Sequence, residues 1–269
     1  MSIRKEVLEN LEVNIRNHNI IPLSKCTGME ANKAIEQARK GYEDARGELL
    51  YQELGRFYRV VIFGSARLQK DSEEFIFVTN LAKSLVVARD VDIVTGGGTG
   101  IMEAAHYGTQ LAIKEASSNG KIIKARNHGV AILNLPIQEP PSEFAHFAAT
   151  HPEFSPRLQA FMDKSHAAYL AVGGIGSLLE LMMLVQTRQV GHLEREYPVI
   201  THPFYKPIVD SWNDQMYHNR VATGLTPLIS ESDLTLITFT DKIPEIVDII
   251  SRNYDDWKER FRNHVRIVS

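Results

Sequence analysis

The stretch that decides the fold is Val91-Asp92-Ile93-Val94-Thr95-Gly96-Gly97-Gly98-Thr99-Gly100-Ile101-Met102-Glu103. Its first five residues are mostly β-branched and apolar, which favours a buried strand. Glycine then permits a tight turn and lets backbone N–H groups approach a ligand closely. A strand, a glycine turn and a helix in this order indicate a parallel α/β sheet with an anion site at the start of the helix.

The same alternation of strand and helix extends outward from this stretch. The predicted strands are Arg59–Phe63, Val91–Thr95, Val130–Leu135, Ala167–Val172, Pro198–Thr201 and Leu234–Phe239. The predicted helices lie at 73–89, 100–118, 156–166, 177–191, 205–219 and 242–252. Alternating strands and helices imply right-handed crossovers, so we predict a Rossmann-like, doubly wound α/β fold with a mostly parallel sheet.

Two regions interrupt this pattern. Residues 1–56 are rich in helix-forming residues and predict an N-terminal helical extension, an added layer on the Rossmann-like domain of residues 57–269. Residues 138–156 carry four prolines and predict an irregular loop, in which His146 and His151 are candidates for substrate contact.

Composition excludes several classes of function. The 269 residues carry 30 Lys plus Arg against 33 Asp plus Glu, a net charge of -3, which argues against a nucleic-acid partner. Cys26 is the only cysteine and the ten histidines show no metal-ligand spacing, so we expect neither a disulfide nor a metal site. No segment has the roughly 18 consecutive apolar residues of a membrane span, and we expect a cytoplasmic protein that contacts no membrane.

Three glycine loops follow the first, second and fourth predicted strands: residues 64–67, 96–100 and 173–177, here called the first, second and third glycine loops. Because the carboxyl ends of parallel strands meet at one edge of a sheet, we expect the loops to line one crevice. The candidate phosphate- or substrate-binding residues are Gly64, Ser65, Gly96, Gly97, Gly98, Thr99, Glu103, Gly173, Gly174, Gly176 and Ser177. Each loop taken alone is equally well a simple strand-to-helix turn.

The spacing of these glycines does not match the dinucleotide fingerprint. Ile101 stands three residues after Gly98, and Leu179 stands three after Gly176, where that fingerprint has glycine. No Walker A lysine is present either. The pattern is therefore closer to a cradle for a mononucleotide phosphate.

Two charged residues are candidates for the chemistry. Glu180 lies three residues after Ser177, so its carboxylate shares the helix face that looks into the crevice, although an acidic residue there also simply complements the helix dipole. Glu103 has the same two interpretations. Arg157 follows Ser155 and Pro156 at a predicted helix start, where a cation is disfavoured unless an anion binds nearby.

These motifs together resemble the LONELY GUY family, whose members were long labelled lysine decarboxylases. The resemblance rests on Gly96-Gly97-Gly98-Thr99-Gly100-Ile101-Met102, on Arg157, and on Gly173-Gly174-Ile175-Gly176-Ser177-Leu178-Leu179-Glu180, and it covers roughly residues 60–200. It implies a Rossmann-like fold and hydrolysis of a nucleoside 5′-monophosphate to a free base and ribose 5-phosphate, without a cofactor. It also implies that Glu180 and Arg157 are the catalytic residues.

The chain departs from the family pattern at three positions. Val172 replaces the motif proline, Ser177 replaces threonine, and Leu158 stands where many members have lysine. These departures keep two alternatives open: a non-catalytic protein that binds a nucleotide or another phosphorylated ligand, and a carrier that resembles the molybdenum-cofactor carriers. A decarboxylase is not supported, since no site for a pyridoxal phosphate lysine is apparent.

We predict a homodimer. The family resemblance places the helix after the third glycine loop at a subunit contact, and residues 178–185 of that helix are almost entirely apolar. Light scattering at micromolar concentration should give twice the 30.4 kDa of one chain. A mass of one chain would contradict this prediction.

Overall fold

A seven-stranded parallel sheet forms the centre of the computed structural model, which describes residues 57–132, 142–151 and 153–265. Its strands are β1 Arg59–Phe63, β2 Asp92–Thr95, β3 Asn127–Ile132, β4 Phe147–His151, β5 Ala167–Leu170, β6 Val199–Thr201 and β7 Thr238–Phe239. Every strand pair is parallel, in the order β4-β3-β2-β1-β5-β6-β7. The predicted fold class is confirmed.

The chain winds outward from β1 in both directions. It runs through β2 and β3 to β4, then crosses over to β5 on the other side of β1, where Val60 is paired with Ala167. The strand order therefore reverses between β1 and β5, and ligands of open α/β sheets bind beyond the carboxyl ends of the strands at such a point. The first and third glycine loops leave the sheet there.

Helices cover both faces of the sheet. They are α1 Glu73–Arg89, α2 Ile101–Ser118, α3 Phe154–Asp163, α4 Ile175–Gln189, α5 Lys206–Asn213, α6 Asn219–Ala222 and α7 Ile243–Val265, with 3-10 turns at Pro203–Tyr205 and Glu231–Thr235 and a π turn at Asp214–His218. Side chains of α1, α2 and α7 pack with Val60 and Ile62, whereas those of α3, α4 and α5 pack with Val61 and Phe63. All five residues of β1 are buried, as expected for the central strand of a doubly covered sheet.

The region predicted as an irregular loop was partly misread. It contains β4, which pairs with β3 from His128 to Ile132, and α3 begins at Phe154 before the predicted loop ends. The Ala-Ala-Thr run of β4 has no strong apolar alternation, and the surrounding prolines dominate the local pattern. β3 also begins at Asn127, three residues before the predicted start, and the buried Asn127 Nδ2 donates to the carbonyls of His106 and Phe144.

The C-terminal elements differ from the prediction in extent. The predicted helix 205–219 is divided into α5, a π turn and α6, and the last strand contains only residues 238–239. The final helix continues past residue 252 to Val265. The helices predicted in residues 1–56, and the end of the strand predicted over Val130–Leu135, lie outside the described residues.

Aromatic side chains close the amino edge of the sheet, opposite the glycine loops. Tyr58 stacks on His166 with ring centroids 4.8 Å apart and meets Trp257 edge-on at 5.5 Å. Tyr254 of the same helix completes the group at 5.4 Å from Trp257. This aromatic cluster attaches α7 to the start of β1.

Gly108 sets the distance between α1 and α2. A Cβ atom at Gly108 would overlap the carbonyl oxygen of Thr79, and Thr79 in turn donates a hydrogen bond to the Ala104 carbonyl at 3.3 Å. Gly108→Ala should therefore destabilise the fold by about 1–3 kcal/mol, although alanine is the better helix former by about 1 kcal/mol. Urea unfolding followed by circular dichroism measures this, with the exposed Ser117→Ala of the same helix as control. A Gly108→Ala protein as stable as wild type would show that the two helices can separate without cost.

Candidate active site

The backbone of Ser65 links the three glycine loops. Its N–H donates to the Val172 carbonyl at 3.0 Å, and its own carbonyl accepts from the Ile101 N–H at 3.0 Å. Gly100 has a positive φ of 62°, and any side chain there would collide with the Ser65 carbonyl. The loops that the sequence places after separate strands therefore form one surface at the carboxyl edge. Val172 contributes through its carbonyl, which the family proline would also provide.

The hydroxyl groups of the first two loops bind neighbouring backbone. Ser65 Oγ accepts from the Arg67 N–H at 3.1 Å, and Thr99 Oγ1 donates to the Ala66 carbonyl at 2.9 Å. The Glu103 carboxylate pairs with Lys70 at 2.7 Å. These predicted substrate-binding side chains hold the loops together in this structure.

Arg157 lies across the second glycine loop. Its Nε donates to the Val130 carbonyl at 2.8 Å, and its guanidinium lies 5.0 Å from the centre of the Phe161 ring. A Cβ atom on Gly96 would be 2.5 Å from an Arg157 terminal nitrogen, so a larger residue there would displace the guanidinium from this position. Arg157 therefore lies against Gly96 of the second glycine loop.

The start of α4 presents backbone donors without a side-chain cap. Gly174 is the N-cap residue and makes no side-chain hydrogen bond, and α4 begins two residues before the predicted position. A Cβ atom on Gly174 or Gly176 would meet nothing within 4 Å of the described part of the chain. These two glycines therefore border open space, in contrast to Gly64 and Gly96, which contact neighbouring side chains.

Glu180 lies one helical turn into α4, half-buried at a narrow apolar pocket. The other residues that line this pocket are Phe63, Leu158, Phe161, Met162, Met183 and Leu184. Burial raises the pKa of Glu180 to about 7, although the positive charge of Arg157 acts in the opposite direction. A carboxyl group that titrates near neutral pH beside an arginine is typical of a catalytic site.

Tyr205 is a site residue that the sequence analysis missed. It is buried in the 3-10 turn after β6, donates from its hydroxyl to the Ala171 carbonyl at 3.3 Å, and is hydrogen-bonded to Ser177. Burial raises the pKa of Tyr205 to about 12, and the neighbouring Glu180 carboxylate adds to that shift. Ser177 is itself buried, and its hydroxyl lies against Gly173 and Tyr205. The only sequence signal was the position of Tyr205 just beyond the carboxyl end of a strand next to β5.

The two candidate histidines have different surroundings. His146 accepts from the Asn127 N–H at 2.9 Å and contacts Gln110 at 3.0 Å, so its ring holds β3 and α2 together. His151 ends β4 at the carboxyl edge, where partial burial and the charges of Lys164 and Arg157 lower its pKa. Of the two, His151 is nearer the Arg157 side of the site.

The described residues lack the features of two other classes of site. No group of three or more His, Cys, Asp or Glu residues among them is arranged to hold a metal ion. Within the same ranges no helix is long and apolar enough to cross a membrane.

Comparison with known proteins gives a partial match to one enzyme. Residues of this chain are 28% identical over 126 positions to the pyrimidine/purine nucleotide 5′-monophosphate nucleosidase of Escherichia coli strain K12, and equally to that of strain O157:H7. The match covers 47% of this chain and 26% of the relative, so it spans about a quarter of the relatives' length. No family model matches the chain.

Solved structures with a similar arrangement include two proteins of molybdenum-cofactor metabolism. The molybdenum cofactor binding protein of Rippkaea orientalis is 14% identical with a TM-score of 0.47, covering 73% of this chain and 97% of that protein. The molybdenum cofactor carrier protein of Chlamydomonas reinhardtii is 15% identical with a TM-score of 0.48, covering 74% and 99%.

The raised pKa of Glu180 predicts a pH-dependent cost to stability. The folded chain keeps a proton on Glu180 up to about pH 7, whereas the unfolded chain releases it near the ordinary value of 4.5, so stability falls as the pH rises between these values. Glu180→Gln removes this cost and should stabilise the protein more at pH 8 than at pH 4.5. Unfolding by urea at both pH values tests this, with the exposed Glu259→Gln as control. If wild type and Glu180→Gln differ in stability by the same amount at both pH values, the Glu180 carboxyl group is solvated in the folded protein.

Proposed function

We propose that this protein hydrolyses the N-glycosidic bond of a nucleoside 5′-monophosphate and releases a free base and ribose 5-phosphate. In this reaction the bond from the base nitrogen to C1′ breaks, water adds to C1′, and the base leaves with a proton. Positive oxocarbenium character develops on the ribose in the transition state. A catalyst must therefore place negative charge beside C1′ and hold the phosphate at a fixed distance from it.

The observation that carries the proposal is the position of Glu180. Its carboxylate lies one turn from the open glycines of the α4 N-terminus and beside Arg157, in apolar surroundings that strengthen its interaction with a developing cation. The ionised form is the one that stabilises the oxocarbenium, so activity should rise with pH through about 7. Arg157 lowers the pKa of Glu180 and so favours that ionised form.

The α4 N-terminus is the proposed phosphate site. Its uncapped N–H groups and the positive end of the helix dipole suit a dianion, and charge-assisted hydrogen bonds are about twice as strong as neutral ones. Gly174 and Gly176 leave space for the phosphate to approach the backbone. Arg157, on the opposite wall, contacts the phosphate or the leaving base.

The comparisons support this assignment in outline. The matched Escherichia coli proteins are named as nucleotide 5′-monophosphate nucleosidases, and the glycine loops, Arg157 and Glu180 resemble the LONELY GUY motifs. We include the Leu158 departure in the proposal: because Leu158 lines the pocket at Glu180, it makes that pocket more apolar than a lysine would.

We also propose the homodimer as the active form. Part of the apolar run on α4 serves the core of this chain, since Leu181, Leu184 and Val185 are buried there. Ile175 and Leu179 remain 90% and 48% exposed on the same helix, close to the proposed phosphate site. These two side chains are the proposed subunit contact.

The proposal predicts that the 5′-phosphate is required for hydrolysis. The 269-residue chain, incubated with AMP, GMP, IMP, CMP and UMP, should release base from at least one of them, detected by chromatography together with ribose 5-phosphate. The matching nucleoside should have a kcat/KM lower by on the order of 10²-fold, because binding of the phosphate positions the ribose against Glu180. Equal kcat/KM values for the nucleotide and its nucleoside would show that the third glycine loop does not bind the substrate phosphate.

Two variants separate binding from chemistry in this assay. Glu180→Gln should lower base release by on the order of 10²-fold while the nucleotide still binds. Gly176→Ala should leave the fold intact, because its Cβ meets nothing in the described chain, yet weaken nucleotide binding. If wild-type protein binds the nucleotide in calorimetry but releases no base, the hydrolase proposal is overturned. That result would favour the non-catalytic binding protein.

A further inference from the structure

A buried polar network lies behind the second glycine loop. Thr95 Oγ1 and His106 Nε2 are 3.1 Å apart, and His106 Nδ1 is 3.3 Å from Ser142 Oγ. Thr95 ends β2, His106 lies in α2 and Ser142 belongs to the segment before β4, so the network joins three separate elements. Thr95 and His106 are fully buried, and Ser142 is only 8% exposed.

The network closes around the peptide of Gly97. The Gly97 N–H donates to Thr95 Oγ1 at 3.0 Å, and the Gly97 carbonyl accepts from the Ser142 N–H at 2.8 Å. Gly97 has a positive φ of 79°, and a Cβ atom there would lie 3.1 Å from the Cα of Gly129. The Gly97 N–H, which the sequence analysis assigned to phosphate binding, is therefore used inside the protein.

His106 is suited to join Thr95 to Ser142. A neutral imidazole has one donor and one acceptor nitrogen, and each hydroxyl can donate or accept, so both contacts are satisfied in either tautomer. Burial lowers the pKa of His106 to about 3, which keeps the ring neutral at physiological pH. An aliphatic side chain in its place would remove both contacts and leave the Thr95 and Ser142 hydroxyl groups with only their backbone N–H donors, those of Gly97 and Phe144.

We propose that His106 is a positioning residue for the proposed nucleotide site: through Thr95 and Ser142 it fixes the Gly97 peptide, and so holds the second glycine loop against Arg157, the residue proposed to contact the phosphate or the base. This inference rests on the proposed function only in taking a nucleoside monophosphate as the ligand. His106 contacts neither ligand nor Glu180. Its loss should weaken nucleotide binding more than the chemical step, because Glu180 belongs to α4, which begins in the separate third loop.

A matched pair at Thr95 tests the inference. Thr95→Val keeps the shape of the side chain but removes the hydroxyl, and it should raise the KM for the best monophosphate about tenfold, as expected for a lost buried hydrogen bond, while kcat changes less than about twofold. Thr95→Ser keeps the hydroxyl and should restore a KM near wild type. Wild-type KM in Thr95→Val, or an equal loss in Thr95→Ser, would overturn the proposal.

A second set of variants tests the connection through His106. Ser142→Ala should also raise KM, and the Thr95→Val and Ser142→Ala double variant should show less than the product of the two effects, because both act through one ring. His106→Gln can keep one of the two contacts and should be affected less than His106→Leu. Ser118→Ala removes only an exposed hydroxyl that binds the Lys114 carbonyl, and it should leave KM unchanged.

Calorimetry with AMP separates this inference from the enzyme proposal. If wild-type protein binds AMP but releases no base, the hydrolase is overturned, while a higher Kd in Thr95→Val than in Thr95→Ser still supports His106 as a positioning residue. All variants are compared at a temperature where circular dichroism shows them folded. The inference would be overturned if the changes in KM or Kd caused by Thr95→Val and Ser142→Ala simply multiplied in the double variant. It would also be overturned if wild-type protein did not bind AMP.

Discussion

The peptide of Ser65 is the constraint on which the site depends. Through one donor and one acceptor it joins the turn after β1 to the turns after β2 and β5, across the point where the strand order reverses. Backbone hydrogen bonds of this kind do not depend on the identity of a side chain, so the geometry tolerates Val172 in place of proline. The geometry depends instead on two neighbouring positions that have no room for a side chain. Gly64 packs on Ile101, and Gly100 faces the Ser65 carbonyl.

Glu180 illustrates how a site can oppose stability. The carboxyl group is placed against apolar side chains of α3 and α4, and its ionisation is therefore costly. The same surroundings leave the carboxyl group only partly exposed to water. Arg157 reduces the cost without removing it, because the guanidinium is also held by the Val130 carbonyl and the Phe161 ring.

The sequence predicted those features that depend on local pattern. The bounds of β1 and α1 agree with the prediction because a continuous apolar run and a Ser72 N-cap that accepts from the Phe75 N–H are both local signals. β4 was missed because an edge strand of small residues has no such signal. The glycine turns, Arg157 and Glu180 were predicted as site residues from local pattern and family resemblance, and their roles stay predictions. The partnership of His106 with Ser142 joins residues 36 positions apart and depends on tertiary packing. For the same reason no spacing could show that the Gly97 N–H is already used by Thr95.

The aromatic cluster at the amino edge has a spectroscopic consequence. The chain contains two tryptophans: Trp257 is 8% exposed and lies within that cluster, and Trp212 belongs to α5, the helix that directly follows Tyr205. Their indole emission therefore originates from two different helices, α7 and α5. Replacing either one with phenylalanine leaves a single intrinsic fluorophore, so that Trp257 emission monitors docking of α7 and Trp212 emission monitors the surroundings of α5.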